Sequence, residues 1–250
     1  MSVIEGWIAG PEVHLIPVPG GAMLYDSSRV ANAESGWLDE AWWARRGTLT
    51  VPSEGRGNAH FIDVDGRQFV LRHYRRGGII ARLSPDRYLW RGEERTRSFR
   101  EWQLLYQLLR QRLPVPTPIA AGYRRDGRTY SAALLIDRIP EAQSVHAHLR
   151  QAALPIHLWV AIGRCLRRFH ERGVCHADLN ARNILIDRAE RVWVIDFDRS
   201  SIRTPGWWCD ANLARLHRSL RKLIVDLPEE RFTTADWHCL LDGYFSGQVE

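Results

Sequence analysis

One stretch constrains this chain more than any other. His176-Ala177-Asp178-Leu179-Asn180-Ala181-Arg182-Asn183-Ile184-Leu185 is followed, 13 residues after Asn183, by Asp196-Phe197-Asp198. Upstream, Ile156, Trp159, Val160, Ile162, Leu166 and Phe169 recur at helical spacing, and Gly173 supplies a stop. Downstream, Ile184–Ile186 and Val192–Ile195 read as two short β runs. The polar cluster therefore lies after a helix and before a strand, with its last members following the next strand.

The front half reads differently. Residues 1–50 are aromatic and irregular, with a short helix expected around Asp39–Arg46, ended by Gly47. Ala59–Asp63 and Gln68–His73 predict two strands joined at Asp65-Gly66, a pair suited to tight hairpin turns. From Thr96 to Arg112 the apolar residues return at helical spacing, and the helix must stop before Pro114-Val115-Pro116-Thr117-Pro118. Strands Ile119–Tyr123 and Ser131–Ile136 follow, with a turn at Asp126-Gly127, and a last amphipathic helix is expected from Asp210 to about Val225. A strand-rich front with one helix and a helical back interrupted by a hairpin make an α+β chain of two lobes. The expected divisions are an extension over residues 1–50 packing on the small lobe, a small lobe over 51–138 and a second lobe over 139–250.

The 250 residues are 45% hydrophobic with a mean hydropathy of −0.33, enough for a core without metal or disulfide. Cys165, Cys175, Cys209 and Cys239 form no Cys-x-x-Cys pair and read as thiols in a reducing compartment. Met1 to Gly20 lacks the basic start and apolar run of a secretory leader, and no apolar run reaches the length of a membrane span. These features predict a cytoplasmic chain, which can still rest on a membrane. The net charge is +6, and Lys222 is the only lysine among 35 basic residues, so roles that usually fall to lysine must be done by arginine.

Phosphoryl transfer from ATP needs a carboxylate beside the attacking hydroxyl and oxygen ligands that hold Mg²⁺ on the phosphates. Asp178 suits the first task; Asn183 and Asp196 suit the second. Asp and Asn also favour ordinary turns. The joint spacing, with a hairpin between its two parts, is much more specific than His-x-Asp alone.

These residues resemble the protein-kinase-like superfamily, whose signatures are His-Arg-Asp-Leu-x-x-x-Asn and Asp-Phe-Gly. The resemblance covers roughly Gly55 to Asp198. It implies a bilobal fold with a small β-rich N-lobe and a reduced helical C-lobe. Ala177 stands in place of the usual arginine, Asp198 in place of the glycine, and no Ala-Pro-Glu follows. The short remainder after Asp196 favours a small-molecule or lipid-linked acceptor over a protein. Gly55-Arg56-Gly57 falls where a phosphate-cradling loop belongs. Arg72 falls where the phosphate-binding lysine belongs, with Glu101 its expected ion-pair partner and Glu93 or Glu94 the alternatives. Asp198 is a second metal contact or a loop cap. From Arg72 to Arg100 nine arginines face three acids, a net of +6, which suits an anionic acceptor or anionic lipid headgroups, or only solvent.

Closer likeness is to the 3-deoxy-D-manno-octulosonic acid (Kdo) kinases of Gram-negative bacteria. It is carried by Val70-Leu71-Arg72-His73-Tyr74-Arg75-Arg76-Gly77-Gly78, by His176 through Leu185, and by Gly206-Trp207-Trp208 with Ala211-Asn212-Leu213 and Ser219-Leu220-Arg221-Lys222. The resemblance implies ATP and Mg²⁺, and phosphorylation of the 4-hydroxyl of Kdo on a lipid A precursor during lipopolysaccharide core synthesis. It also implies a peripheral position on the anionic cytoplasmic face of the inner membrane. No nucleic-acid motif and no obligate protein partner is evident. Aminoglycoside- or choline-kinase-like activity and a non-catalytic pseudokinase are the alternative readings. The first usually carries His-Gly-Asp with an acidic pocket, and intact Asp178, Asn183 and Asp196 argue against the second.

Overall fold

The computed structural model describes residues 10, 12–50, 59–75 and 86–246, and its contacts divide the chain into two compact units. The first comprises residues up to Gln107 together with Pro116–Arg138; the second comprises Leu108–Val115 and Ile139 onward.

In the first unit, β1 (Val13–Val18) and β2 (Gly21–Asp26) form a hairpin, where the composition alone suggests an irregular segment. The signal is masked because β1 carries Pro17 and alternates weakly, and because Met23 and Leu24 are adjacent and both wholly buried. Helix α1 (Glu40–Ala44) is capped by Asp39, whose carboxylate accepts from Ala41 N at 2.9 Å. After β3 (Leu49–Thr50) come β4 (Ala59–Val64) and β5 (Arg67–His73). Asp65 and Gly66 both take positive φ, 51° and 77°, the conformation that closes a two-residue hairpin. The short β6 (Tyr88–Leu89) precedes α2 (Arg97–Arg110), and the long hairpin β7 (Pro118–Asp126) and β8 (Thr129–Asp137) ends the unit. Among the described residues, one antiparallel sheet runs β1-β2-β7-β8-β5-β4-β3, with β6 on β8.

Strand side chains alternate between faces, and β5 shows what this does. Phe69 and Leu71 join Met23, Trp43, Ile62, Ile119 and Leu135 in an apolar layer. His73, on the same parity, reaches Glu40 of α1 at 2.9 Å. Arg72 lies on the opposite parity and meets α2.

Beyond Ile139 the second unit opens with β9 (Gln143–Ser144), whose Ser144 hydroxyl caps α3 (Val145–Gln151) at 3.1 Å. The expected helix is α4 (Ile156–Glu171), ended by Gly173 at φ 73°. There follow β10 (Val174–Cys175), the hairpin β11 (Ile184–Ile186) and β12 (Val192–Val194), and β13 (Ser201–Ile202), which pairs with β10. Helix α5 (Trp208–Leu223) is not the last element, since α6 (Thr234–Ser246) follows it.

Helices α4 and α6 meet backbone to backbone. A Cβ on Gly163 would lie 1.9 Å from the Leu240 carbonyl oxygen, and one on Gly243 would lie 2.1 Å from the Val160 carbonyl oxygen. These glycines are required by close approach, and the contact gives α6 its place despite a weak amphipathic pattern. Adding a methyl group to a full interior typically costs about 1–3 kcal/mol, and here the obstacle is backbone. Gly243→Ala is therefore expected to destabilise by at least about 2 kcal/mol, read as a lowered urea midpoint with unchanged slope.

Candidate active site

The segment from His176 to Asn183 connects β10 to β11; Asn183 N donates to Asn180 O at 3.0 Å and Arg182 N to Asn180 Oδ1 at 2.8 Å within it, and other backbone groups are satisfied from outside. The Asn212 side chain brackets His176: its Oδ1 accepts from His176 N at 3.1 Å, and its Nδ2 donates to His176 O at 3.0 Å. One turn or two along α5, Ser219 Oγ accepts from Ala181 N at 3.2 Å. Ser200 Oγ accepts from Ala177 N at 3.1 Å, and the Ala181 carbonyl accepts from His146 N of α3 at 2.9 Å. Every side of the loop is thus tied to an element of the second unit.

His176 organises the interior of this loop. Its Nδ1 accepts from Asp178 N at 3.1 Å, which leaves Nε2 to donate to the Ile195 carbonyl at 3.0 Å. Both bonds together require the neutral ring, and burial pushes its pKa below the ordinary value, against the backbone bond to Ile195. Phe197, 1% exposed, packs against His176 with ring centroids 4.9 Å apart and stacks on Phe169 of α4 at 5.8 Å. The aromatic of the Asp196-Phe197-Asp198 triplet therefore joins that segment to the loop.

Asp178 is exposed at the loop's tip. Asn180 Nδ2 donates to its Oδ2 at 3.2 Å, and Arg215 of α5 donates to its Oδ1 at 3.2 Å. Asn183 is buried, and its Nδ2 donates to the Asp178 carbonyl at 2.9 Å. That bond fixes the amide's orientation and leaves Oδ1 as the oxygen a cation can take. Ile195 N donates to Asn183 O at 3.0 Å, which brings Asp196 alongside Asn183. Asp196 adopts φ 65°, a left-handed conformation that costs a non-glycine residue about 1–2 kcal/mol and that Asp and Asn tolerate best. An amide oxygen and a carboxylate form a hard donor set that fits Mg²⁺, which characteristically takes few protein ligands and completes its shell with phosphate and water. No group of three His, Cys, Asp or Glu side chains placed to hold a metal occurs among the described residues.

In the first unit, Arg72 Nη2 donates to Glu101 Oε2 on α2, and Tyr74 OH donates to the same oxygen at 2.6 Å. Glu101 is 3% exposed, and Tyr74 is held well above its ordinary pKa by burial and then by the Glu101 charge. Glu93 instead accepts from Tyr123 OH at 2.7 Å, and Glu94 lies 3.8 Å from Arg95. Removing one member of a buried ion pair typically costs about 3–5 kcal/mol, so the pair also anchors α2 to β5. Gly55 and Gly57 lie outside the described residues.

The structure thus brings Asp178, Asn183 and Asp196 together, and separately Arg72 with Glu101. The sequence reading assigned no role to Asn212, Arg215 or Ser219. Their signal was present as three polar residues at i, i+3 and i+7 on a helix, one stripe that a leucine-face count passes over.

Residues 40–244 match the lipopolysaccharide kinase (Kdo/WaaP) family. The chain belongs to that family. It is 48% identical over 206 residues to a 3-deoxy-D-manno-octulosonic acid kinase of Xanthomonas campestris pv. campestris (strain B100), covering 81% of each chain. It is 47% identical over 204 residues to the enzyme of that name from Xylella fastidiosa (strain M23), again covering 81% of each. As a lipopolysaccharide kinase family member it has the protein-kinase-like α+β fold. Among the described residues, no helix is long and apolar enough to cross a membrane.

Beneath the loop, His170 of α4 is 3% exposed, and its Nδ1 lies 2.7 Å from Tyr244 OH of α6. Burial, only partly offset by a hydrogen bond with Asn212, pushes its pKa down to about 4. An unfolded imidazole takes its proton near pH 6.5, whereas the folded one resists until about pH 4. Stability is therefore full above about pH 6.5 and is lost as pH falls toward 4, by at most about 3 kcal/mol from this group. Urea midpoints should fall across that window, and His170→Gln should flatten the dependence, leaving the slope due to the other imidazoles held below their ordinary pKa, His176 among them.

Proposed function

We propose that this chain is an ATP-dependent kinase that phosphorylates the 4-hydroxyl of Kdo on a lipid A precursor, at the cytoplasmic face of the inner membrane. The observation that most supports the reading is the Asp178 carboxylate, exposed at the tip of a loop whose backbone is otherwise tied down, in a chain 48% identical to Kdo kinases. In this reading the acceptor hydroxyl oxygen forms a bond to the γ-phosphorus of ATP, the bond to the bridging oxygen breaks, and ADP leaves. Asp178 orients the hydroxyl and takes its proton. Asn183 Oδ1 and the Asp196 carboxylate hold Mg²⁺, which when bound offsets the charge of the phosphate oxygens.

Arg72 serves as the phosphate-binding cation, kept in place by Glu101. Arginine keeps the positive charge of the usual lysine and adds a fork that can bind phosphate at two points. Gly55 and Gly57 would let backbone N–H groups approach the phosphates. The arginine-rich stretch from residue 72 to 100 suits an anionic surface. Some of its cations already have partners within the chain, such as Arg87 with Asp126 at 3.1 Å and Arg97 over the Tyr88 ring at 4.6 Å.

Incubation with ATP, Mg²⁺ and a Kdo-bearing lipid A precursor should yield ADP and a phosphorylated glycolipid in equal amounts. A general base contributes about 10²–10⁴-fold, so Asp178→Ala is expected to lower kcat by that factor while ATP affinity stays near the parent value. Retention of parental kcat would remove Asp178 from the mechanism. Asp196→Asn loses a charged hard ligand; the Mg²⁺ concentration for half-maximal turnover should rise at least about tenfold, and an unchanged titration would contradict the assignment.

A further inference from the structure

Helix α5 has two working faces. Toward 100–240° on a helical wheel it buries Trp208, Asn212, Leu213, Leu216 and Leu220. The other side is open. Trp207, the helical residue just before α5, is 79% exposed, among the most exposed large hydrophobic side chains of the described residues. Ala211, Ala214, Arg218 and Lys222 follow it along one stripe, with Arg221 and Arg215 at its margins, all exposed. Asp210 is the one acid on that side.

Cations in the last turn complement the helix dipole, which accounts for Arg221 and Lys222. It does not account for Arg215 and Arg218 in the middle of the helix, or for a tryptophan left in solvent. Arg215 is the link to chemistry. It stands between the open stripe and the residues that grip the loop, and its Nη1 is 3.2 Å from Asp178 Oδ1.

We propose that the open face of α5 is the docking surface for the acceptor, an anionic glycolipid. Arg215 and Arg218 would receive its carboxylate and phosphate groups beside Asp178, and Trp207 its apolar portion. The proposal rests on the function given above and adds where the acceptor lies. At about 1.5 Å per residue, Trp207 and Arg218 are roughly 16 Å apart. A single free sugar cannot span that distance, whereas a lipid-linked one carrying several charges can. Two alanines between them keep the path open. Arginine suits the role because its fork binds carboxylate and phosphate alike.

The test compares parent, Trp207→Ala, Arg218→Ala and Arg218→Glu with a Kdo-bearing lipid A precursor in neutral detergent micelles, where no anionic bilayer is present. These side chains are exposed, so the variants fold. The acceptor KM should rise about tenfold or more for Trp207→Ala and Arg218→Ala, and further for Arg218→Glu, with KM for ATP at the parent value. Equilibrium binding of the glycolipid without ATP should weaken by the same factors. That second measurement judges the surface even if the parent transfers no phosphate to this acceptor, an outcome that would sink the functional reading alone. Unchanged acceptor KM and binding would overturn the proposal. So would variants that lose only co-sedimentation with phosphatidylglycerol vesicles, which would make the stripe a membrane surface instead.

Discussion

The bidentate hold of Asn212 on the His176 backbone is the constraint on which the second unit's chemistry depends. The loop's internal hydrogen bonds lie mostly from Asp178 to Asn183, and the backbone of its first residues is held from outside. Here one amide side chain satisfies both the N–H and the carbonyl of the residue that begins it. A buried backbone group left unsatisfied costs about 1–3 kcal/mol, so the loop has a single well-determined position against α5. From that position the rest follows: His176 reaches the Ile195 carbonyl, Phe197 finds a ring to pack on, and Asp178 is carried to an exposed tip.

A parallel logic governs the first unit with different chemistry. The two-residue period of β5 sends Arg72 and His73 to opposite faces, and each meets a carboxylate supplied by a helix, Glu101 on α2 and Glu40 on α1. The sheet thus keeps the two polar contacts on opposite faces. Tyr74 adds a hydroxyl to the Glu101 side, so a deeply buried carboxylate receives both a charge and a neutral donor.

How much of this was legible in the sequence follows from the range of the forces involved. The β4–β5 turn could be read because Asp65-Gly66 states its own conformation, and α4 because its apolar face repeats locally. The meeting of Asp178, Asn183 and Asp196 could be anticipated from spacing, since one short hairpin returns the chain to its start. Helix α6 escaped because its place is set by a glycine contact with α4, a match between segments some 80 residues apart, and glycines carry no periodic signal. The hairpin of residues 13–26 escaped because Pro17 and the adjacent buried Met23 and Leu24 break the two-residue alternation that marks a strand. Asn212 escaped because a polar residue among leucines reads as a blemish in the pattern until its partner is known.

The backbone contact between α4 and α6 has a consequence for how the molecule comes into being. Chains emerge from the ribosome in order, at about 5–20 residues per second. The large sheet has all its strands once Asp137 has been made. Helix α4, which carries the Phe169 and His170 that lie under the loop, has a groove at Gly163 that stays uncovered until residues 234–246 arrive. The packing of α4 is thus completed only when α6 has been made. A nascent chain halted before Thr234 would have a completed sheet and a loop already tied by Asn212 and Ser219, resting on a helix whose Gly163 face and buried His170 still lack their cover.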